Sequence, residues 1–278
     1  MTETVGELIR QSKEQLADTS ETPQLDSYLL VSEVLSRSRA WLIAHADESV
    51  CSVDQTRVQA LIARRHAGEP IAYIRGSQSF WQRDFYVTPD TLIPRPETEL
   101  LMEITLARFD RQARKVVDLG TGTGALAVSL AAERPEWQIL GTDVSADALA
   151  VAQKNAEAIP NVSFLQSSWF SDIQGQFDLI ISNPPYIRNT DPHLEALKFE
   201  PARALTGGDD GLDCIRQIIN SCHEHLAPRG SILFEHGYDQ QEAVVQLLEK
   251  SGFTKVEGFS DLQGQPRAVI ARSDNLER

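Results

Sequence analysis

The sequence predicts an α/β protein with a doubly wound, mostly parallel seven-stranded sheet, preceded by a small helical domain and a short β linker. Two patterns support this fold. From residue 115 onward, short apolar runs alternate with helical patterns, and repeated strand–helix units build a mostly parallel sheet with helices on both faces. Before residue 69, apolar residues recur at helical spacing. The length of 278 residues is enough for two domains.

Residues 1–75 are predicted to form the helical domain. Apolar residues between Leu25 and Leu35 follow helical spacing, and a further helix is expected to begin at Ser52. Gln55 lies three residues after Ser52, which is the spacing of a capping box. The segment carries no catalytic constellation, so we interpret it as a substrate-recognition domain. A purely stabilising appendage is the alternative.

Residues 76–90 are predicted to be a β-hairpin linker. Ile71 to Ile74 and residues 80–87 both have β-type composition, with a glycine-containing turn between them. Three prolines then interrupt the chain before a helix that we expect over 97–109. The remaining residues, 91–278, are assigned to the sheet domain.

The sheet domain is predicted to contain seven strands joined mainly by helices. Ligands of such sheets bind outside the carboxyl ends of the strands, so the residues that follow each strand are the candidate site residues. The predicted strands are 115–119, 138–143, 162–166, 177–182, 231–235, 253–259 and 266–272, and the clearest helices between them are 146–158, 211–226 and 239–251.

The first strand is followed by a glycine loop of Gly120, Thr121, Gly122, Thr123 and Gly124. Glycines between a strand and a helix let a ligand approach the backbone N–H groups at the helix start. The loop also satisfies the G-x-G-x-x-G/A pattern of dinucleotide-binding proteins, which alone is a weak signal. A tight turn without a ligand is the alternative interpretation.

Asp143 ends the second strand, 19 residues after Gly124. A carboxylate at this spacing can accept hydrogen bonds from both hydroxyls of a ribose. Asp143 could instead cap the next helix, a role for which Ser145 competes. The loop and the acid together predict a ligand with an adenosine-type ribose, and both NAD and S-adenosylmethionine meet that description.

The fourth strand is followed directly by Asn183-Pro184-Pro185-Tyr186. Two prolines stop the strand and fix the backbone. The Asn183 side chain and the Pro184 carbonyl offer two acceptors for the two hydrogens of a planar NH2 group, and Tyr186 offers a ring to stack on it. Such contacts orient a poorly nucleophilic amide nitrogen toward a methyl donor, so this site favours S-adenosylmethionine over NAD.

These motifs resemble the class I, Rossmann-like, S-adenosylmethionine-dependent methyltransferases that act on planar nitrogens. More narrowly, the chain resembles the protein N5-glutamine methyltransferases that modify peptide-chain release factors, and the resemblance covers nearly the whole chain. The segments that carry it are Gly68-Glu69-Pro70-Ile71, Phe80-Trp81, Leu92-Ile93-Pro94-Arg95-Pro96-Glu97-Thr98-Glu99, Ser168-Trp169-Phe170 and Phe199-Glu200-Pro201.

The resemblance implies a donor site for S-adenosylmethionine. In that site the loop from Gly120 to Gly124 would wrap the methionine and ribose portions, and Asp143 would bind the ribose hydroxyls. Trp169 would lie against the adenine, and Asn183 would also border the cofactor.

The resemblance also implies a protein substrate, the glutamine of a Gly-Gly-Gln motif in a release factor, whose methylation at N5 tunes translation termination. Asn183, Pro184 and Tyr186 would be the catalytic residues, and together with Pro185 they would bind the substrate. Arg95 could steer substrate or pair with an acid, and the sequence leaves both roles open.

Charge helps to separate the alternative substrates. Lys and Arg number 26 and Asp and Glu number 40, which gives a net charge of -14, and residues 1–76 carry 8 of the former and 11 of the latter. The acidic sheet domain disfavours an adenine-N6 nucleic-acid methyltransferase, because phosphate binding needs clustered cations. A methyltransferase acting on a glutamine of a large-subunit ribosomal protein remains an alternative, as does a non-catalytic binding module.

Three cysteines without C-x-x-C spacing predict neither a disulfide framework nor a zinc site. Cys222 lies next to two histidines but falls on an apolar helical stripe, which favours a buried cysteine over a metal ligand. The sequence shows neither a secretory signal nor an apolar run long enough to span a membrane. We therefore expect a cytoplasmic monomer that needs no metal and does not bind nucleic acid or membranes directly.

Overall fold

The computed structural model describes residues 3–273. Contacts between Cα atoms divide the chain into two compact units, of which one ends at Ser77 and the other begins at Gln78. Each unit has a hydrophobic core of its own. Among the residues described, no helix is both long enough and apolar enough to cross a membrane.

The first unit is helical, as predicted. Its core contains fully buried leucines contributed by three of its helices, among them Leu8, Leu30 and Leu42. The helices are α1 (Val5–Leu16), α2 (Pro23–Leu35), α3 (Arg39–Ala44), α4 (Ser52–His66) and α5 (Ile71–Arg75).

The β-type interpretation of Ile71 to Ile74 is wrong, because these residues form α5. Pro70 precedes the helix with a φ of -59°, and Gly76 ends it in the left-handed region at a φ of 69°. A proline before the first turn and a glycine after the last are the usual boundaries of a helix. These boundaries, together with the burial of Tyr73 and Ile74, outweigh the β-type composition of the segment.

The predicted capping box at the start of α4 is also wrong. Cys51 is the N-cap residue and makes no side-chain capping bond, while Ser52 is already helical. The Gln55 amide donates a 2.8 Å hydrogen bond to the carbonyl of Val50 instead. The extended conformation of Cys51, with a ψ of 152°, makes it the N-cap residue, so the helix begins at Ser52 as expected but without the capping box.

A short hairpin, β1 (Ser77–Phe80) and β2 (Arg83–Tyr86), follows the helical unit. Phe80 and Phe85 meet edge to face with ring centroids 6.1 Å apart. Both rings are buried in the core of the second unit. The hairpin predicted for residues 76–90 therefore begins near the expected position, but its apolar side chains pack as part of the sheet unit.

The second unit contains the predicted seven-stranded sheet. The strands are β3 (Lys115–Leu119), β4 (Gln138–Asp143), β5 (Val162–Gln166), β6 (Phe177–Ser182), β7 (Leu226–Glu235), β8 (Phe253–Ser260) and β9 (Pro266–Ser273). Their spatial order is β5-β4-β3-β6-β7-β9-β8, and only β9 runs antiparallel to its neighbours. The first four coincide with the predicted ranges, whereas β7 begins five residues earlier than expected.

Helices cover both faces of this sheet, so the doubly wound prediction is confirmed. The helices of this unit are α6 (Glu99–Arg108), α7 (Ala125–Glu133), α8 (Ala146–Asn155), α9 (Asp213–Cys222) and α10 (Gln241–Lys250). Successive strand residues point to opposite faces: Val116 lies in the core with α6 and α7, and Val117 lies in the core with α9 and α10.

The strand order reverses between β3 and β6. The chain moves outward from β3 through β4 to β5, then returns to place β6 on the other side of β3. A crevice opens outside the carboxyl ends of the strands at such a reversal. The segments after β3, β4 and β6 are the three strand ends that the sequence selected, and the fold brings them together.

Candidate active site

Two adjoining cavities lie at this edge of the sheet. The strand-end cavity lies over the ends of β3, β4 and β5, and the tyrosine pocket lies beside it around Tyr186. The strand-end cavity is lined by Asp90, Thr91, Leu92, Gly120, Gly122, Asp143, Val144, Ser145, Ala148, Ser167, Ser168, Trp169, Asn183, Pro185, Pro201, Arg203, Ala204 and Cys214. The tyrosine pocket is lined by Leu92, Arg95, Glu97, Asn183, Pro184, Tyr186, Ile187, Leu197, Ala204, Leu205 and Arg267.

The glycine loop forms the floor of the strand-end cavity. Gly120, Gly122 and Gly124 all have positive φ, at 74°, 54° and 76°, a conformation that glycine adopts without a steric penalty. The N–H groups of Gly120 and Thr121 both donate 2.8 Å hydrogen bonds to the carbonyl of Thr142. A Cβ added at Gly122 would lie more than 4 Å from the atoms of the described residues around it. The loop is therefore open on the side that faces the cavity.

Three residues of the loop lie beneath that surface. Thr121 and Thr123 are buried, and Gly124 is the N-cap of α7, where an added Cβ would come within 3.1 Å of Ala152. The sequence named all five loop residues as cofactor ligands. The structure places only Gly120 and Gly122 on the cavity wall, while the other three shape the loop from below.

Asp118 supports the loop from the end of β3 and was not selected from the sequence. The Thr121 hydroxyl donates a 2.6 Å hydrogen bond to its carboxylate. Burial raises the pKa of Asp118 to about 7, a net value to which the Thr121 bond contributes by lowering it and the nearby Asp143 carboxylate by raising it. The group therefore titrates near neutral pH, just under the cavity floor.

Asp143 lies on the cavity wall as the sequence predicted. One carboxylate oxygen accepts from the N–H of Gly122 at 3.0 Å and the other accepts from the N–H of Ser145 at 2.9 Å. A carboxylate can accept about four hydrogen bonds, so capacity remains for the two hydroxyls of a ribose. Ser145 is the N-cap of α8, which frees Asp143 from the competing role.

Trp169 closes the cavity beyond Gly120. Its nearest ring carbon lies 3.8 Å from the position of a Cβ on Gly120. The residue has a φ of 50°, a strained conformation for a bulky side chain. Ser167 donates to the Trp169 carbonyl at 2.9 Å, and the indole N–H donates to Gln217 at 2.9 Å. Both bonds fix a flat aromatic surface toward the cavity.

Asn183 lies where the two cavities meet and lines both of them. Its side-chain NH2 donates a 2.9 Å hydrogen bond to the Thr98 hydroxyl. Pro184 and Tyr186 line the tyrosine pocket, whereas Pro185 lines the strand-end cavity. The tetrapeptide thus divides the two cavities, with Asn183 at the junction.

Glu235, at the end of β7, anchors the tyrosine pocket. The Tyr186 hydroxyl donates to one of its carboxylate oxygens at 3.1 Å, and the Thr98 hydroxyl donates to the other at 2.7 Å. Burial raises the pKa of Glu235 to about 7, while the bonds from Thr98 and Tyr186 lower it. Burial, followed by the Glu235 charge, raises the pKa of Tyr186 far above its ordinary value.

The loop at 207–211 buttresses the tetrapeptide. A Cβ on Gly207 would lie 2.4 Å from the Pro185 carbonyl oxygen, and one on Gly211 would lie 2.2 Å from the Tyr186 carbonyl oxygen. These glycines allow a close backbone approach, so the Gly-Gly-Asp-Asp-Gly run forms a loop packed against the tetrapeptide. The helix after it begins at Asp213, two residues later than expected.

Arg95 pairs with an acid, which is one of the two roles that the sequence left open. Its guanidinium binds the buried carboxylate of Glu200, which also accepts from the N–H of Ile93 at 3.0 Å. Farther along the same segment, Arg203 donates a 2.8 Å hydrogen bond to the Ser145 hydroxyl. The segment between β6 and α9 is therefore tied to both cavities.

The metal interpretation of Cys222 finds no support in the residues described. Its side chain is buried in α9 and lies 3.2 Å from the carbonyl oxygen of Ile219. Within residues 3–273, no three His, Cys, Asp or Glu side chains are arranged to hold a metal ion.

Sequence reasoning missed Thr98, Glu235 and Asp118 as site residues. Glu235 had a detectable signal, because it is an acid that ends an apolar strand at the ligand-binding edge. Asp118 gave a similar signal at the end of β3. Thr98 lies in the segment 92–99 that carries part of the family resemblance, but its spatial neighbour Glu235 is far away in sequence.

Comparisons with known proteins agree with this architecture. Residues 96–200 match the family model described as "Methyltransferase small domain", and residues 7–76 match "PrmC N-terminal domain". A solved methyltransferase from Pyrococcus furiosus has a TM-score of 0.55 at 20% identity, covering 78% of this chain and 98% of that one. A ribosomal protein L11 methylase from Lactobacillus delbrueckii has a TM-score of 0.51 at 22% identity, covering 70% and 90%. These likenesses show the fold.

Curated relatives match over nearly the whole chain. The release factor glutamine methyltransferase of Salmonella typhimurium is 42% identical over 269 residues, covering 95% of this chain and 97% of the relative. The protein of the same name from Burkholderia pseudomallei is 44% identical over 270 residues, covering 93% and 95%.

The Rossmann-like sheet, its glycine loop and the acid that ends β4 suit a ligand with a ribose, and the family model for residues 96–200 makes the chain an S-adenosylmethionine-dependent methyltransferase of that class. Within that class, the extent and identity of the match decide the family. The chain belongs to the release factor glutamine methyltransferases.

Proposed function

We propose that this enzyme transfers a methyl group to the side-chain amide nitrogen of the glutamine in the Gly-Gly-Gln motif of peptide-chain release factors. The observation that carries the proposal is the position of Asn183, which lines both cavities. A residue at that junction can contact a donor in the strand-end cavity and an acceptor in the tyrosine pocket.

The residues of the strand-end cavity fit S-adenosylmethionine. Gly120 and Gly122 offer an open backbone surface, Asp143 offers unused acceptor capacity, and Trp169 offers an aromatic face. When bound, the donor supplies an activated methyl group on a sulfonium. The chain's contribution on this side is to hold the donor in one orientation and to exclude water around it.

The tyrosine pocket fits the planar amide of glutamine. The Asn183 side-chain oxygen and the Pro184 carbonyl accept the two hydrogens of the substrate NH2, and the Tyr186 ring packs on the amide plane. These contacts orient the nitrogen and stabilise the positive charge that develops on it as the methyl is transferred. Neutral acceptors do not retain the proton that the nitrogen then loses, so we propose that it passes to water.

Three features support a release factor as the substrate. Relatives over nearly the full length bear the name release factor glutamine methyltransferase. The net charge of -14 gives no basis for tracking a phosphate backbone. The helical first unit is less acidic than the rest, and we propose that it recognises the protein substrate. Since translation factors act in the cytoplasm, we place the enzyme there, as a monomer that does not bind nucleic acid directly.

A side-by-side transfer assay tests the proposal. Purified release factor, large-subunit ribosomal proteins, DNA and RNA are each incubated with the enzyme and S-adenosylmethionine carrying a labelled methyl group. We expect label in the release factor alone. Label in ribosomal protein would assign the sister activity, and label in nucleic acid would contradict a protein amide as the acceptor.

A further inference from the structure

Four side chains form a continuous hydrogen-bonded chain beneath the tyrosine pocket. The Asn183 NH2 donates to the Thr98 hydroxyl at 2.9 Å, and that hydroxyl donates to Glu235 at 2.7 Å. The Tyr186 hydroxyl donates to the other Glu235 oxygen at 3.1 Å. Thr98 is only 7% exposed and Glu235 is 0% exposed, so these bonds face little competition from solvent.

The chemistry of these four groups allows only one direction of donation along the hydrogen-bonded chain. An ionised carboxylate can only accept hydrogen bonds, so Thr98 must use its single hydrogen on Glu235. The Thr98 oxygen can then only accept from Asn183, which must turn its NH2 toward Thr98. The carbonyl oxygen of Asn183 is therefore held on the opposite side of the amide, which is the orientation that can accept a hydrogen from a substrate NH2.

Without this chain, the Asn183 amide has two nearly isosteric orientations. Turning the amide over would present an NH2 donor where an acceptor is needed, and two donors facing each other cannot bond. Asn183 alone does not choose between the two orientations, since its oxygen and nitrogen occupy similar volumes. The Glu235 carboxylate, which can only accept hydrogen bonds and is linked to Asn183 through Thr98, selects between the two orientations.

We infer that Thr98 and Glu235 are positioning residues for methyl transfer, which fix the Asn183 carbonyl toward the acceptor amide and hold the Tyr186 ring in place. This inference rests on the proposed function, because it needs a substrate NH2 in the tyrosine pocket. Neither residue contacts the substrate itself, and both act through Asn183 and Tyr186.

A purely structural role explains the buried carboxylate of Glu235 less well than a positioning role does. A fully buried carboxylate loses its hydration, and hydrogen bonds from two neutral hydroxyls offset that loss only in part. An apolar side chain of similar size would fill the same space without that loss. The carboxylate offers what an apolar side chain cannot, which is a fixed direction for the hydrogen bonds of Thr98 and Tyr186 and, through Thr98, of Asn183.

A matched pair of variants at Thr98 tests the inference. Thr98→Val keeps the shape and removes the hydroxyl, whereas Thr98→Ser keeps the hydroxyl and removes a methyl group. We expect Thr98→Val to lower kcat by about 10- to 100-fold while the donor Kd changes by less than about twofold. Thr98→Ser should stay within about threefold of the wild-type kcat. Equal kcat values for Thr98→Val and Thr98→Ser would overturn the inference.

Glu235→Gln provides a second, independent variant of nearly the same volume. The side-chain amide of the introduced glutamine can donate to the Thr98 hydroxyl oxygen and so compete with the Asn183 NH2. The direction of donation along the hydrogen-bonded chain would then no longer be fixed. We expect kcat to fall about as far as in Thr98→Val, with the donor Kd unchanged within about twofold. A wild-type kcat in Glu235→Gln would remove Glu235 from the account even if Thr98→Val were slow.

The same assay separates failure of this inference from failure of the proposed function. Wild-type enzyme is run in parallel on release factor and on ribosomal protein. Label in ribosomal protein alone would refute the release-factor proposal, yet the Thr98 pair would still be compared on that glutamine substrate. Label in release factor with equal Thr98→Val and Thr98→Ser rates would refute the positioning role only.

Discussion

The two cavities of the site differ in whether backbone groups or side chains form their main contacts. The strand-end cavity has the backbone of one short loop as its floor, and Asp143 and Trp169 are among the side chains of its walls. The tyrosine pocket depends on side chains from separate elements, because Thr98, Asn183 and Glu235 come from different parts of the chain. Backbone contacts can hold a donor common to many enzymes, while side chains from distant elements can select one acceptor.

This difference predicts that substitutions can impair the function of one cavity without impairing that of the other. Substitutions in the tyrosine pocket should change the transfer rate, and substitutions around Asp143 should change donor affinity. Asn183 is where the two cavities meet, so it offers the most severe test.

The largest effect is expected for Asn183→Ala. The change removes an acceptor for the substrate NH2 without touching the glycine loop, so transfer should fall by at least about 100-fold, while the donor Kd stays within about threefold. Rates come from labelled-methyl transfer and affinities from calorimetry. Asn220→Ala, on the exposed side of α9, is the matched control and should behave as wild type. Unchanged turnover in Asn183→Ala would refute the acceptor role.

The next largest effect is expected for Asp143→Ala, and it should fall on the donor side. Loss of charge-assisted hydrogen bonds to the ribose should weaken donor binding by about 10- to 100-fold. At saturating donor, kcat should remain within about threefold. Asp147→Ala, at an exposed position in the first turn of α8, controls for the loss of a carboxylate. A calorimetric Kd equal to that of the wild type would remove the ribose assignment.

The same contrast explains what the sequence could predict. The glycine loop and Asp143 lie within one strand–helix–strand unit, so their spacing alone predicted a ribose-binding site at the sheet edge. The seven strands followed from apolar periodicity, since six of the seven begin where predicted.

The support of the acceptor side could not be predicted in that way. Thr98 and Glu235 are 137 residues apart, and only the completed sheet brings Thr98, the N-cap residue of α6, next to the end of β7. The misassigned Ile71 to Ile74 segment has a related cause, because its β-type composition is overridden by helix boundaries and burial in the folded unit. Local spacing predicts local motifs, whereas contacts between distant elements need the fold.

An intermediate effect is expected from pH. Burial raises the pKa of Glu235 to about 7, with Thr98, Tyr186 and Arg267 opposing and Glu97 reinforcing the shift. Only the ionised form fixes the direction of the hydrogen-bonded chain, so kcat should rise about 10-fold as pH increases through 7. In Glu235→Gln this limb of the kcat profile should be absent. If kcat of Glu235→Gln still rose in the same way through pH 7, the rise would be assigned to the titration of another group.

Asp118 provides the donor-side counterpart, because its pKa is also raised to about 7 by burial. Its titration should appear in the donor Kd rather than in kcat, and Asp118→Asn should abolish it.

The pH dependence of stability has a defined sign for both Asp118 and Glu235. A folded-state pKa above the ordinary value stabilises the fold at low pH, and this contribution is lost as pH rises through about 7. Denaturant unfolding at pH 5 and pH 8 measures the difference between wild type and each variant.

The smallest effect is expected for Gln217→Ala, which removes the partner of the Trp169 indole N–H. The ring should still pack against the donor but with more freedom, so the donor Kd should rise by about two- to fivefold. Gln246→Ala, at an exposed position of α10, is the control. A Kd identical to that of the wild type would show that the strained backbone of Trp169 alone fixes the ring.

The most direct test of a glutamine amide as the methyl acceptor is to locate the methyl group on the product. Release factor treated with wild-type enzyme and donor is digested, and fragmentation by mass spectrometry assigns the modified atom. We predict one methyl on the side-chain nitrogen of the Gly-Gly-Gln glutamine, and none when that glutamine is replaced by glutamate, which lacks the NH2 that Asn183 would hold. A methyl on any other residue, or on the glutamate variant, would contradict this prediction.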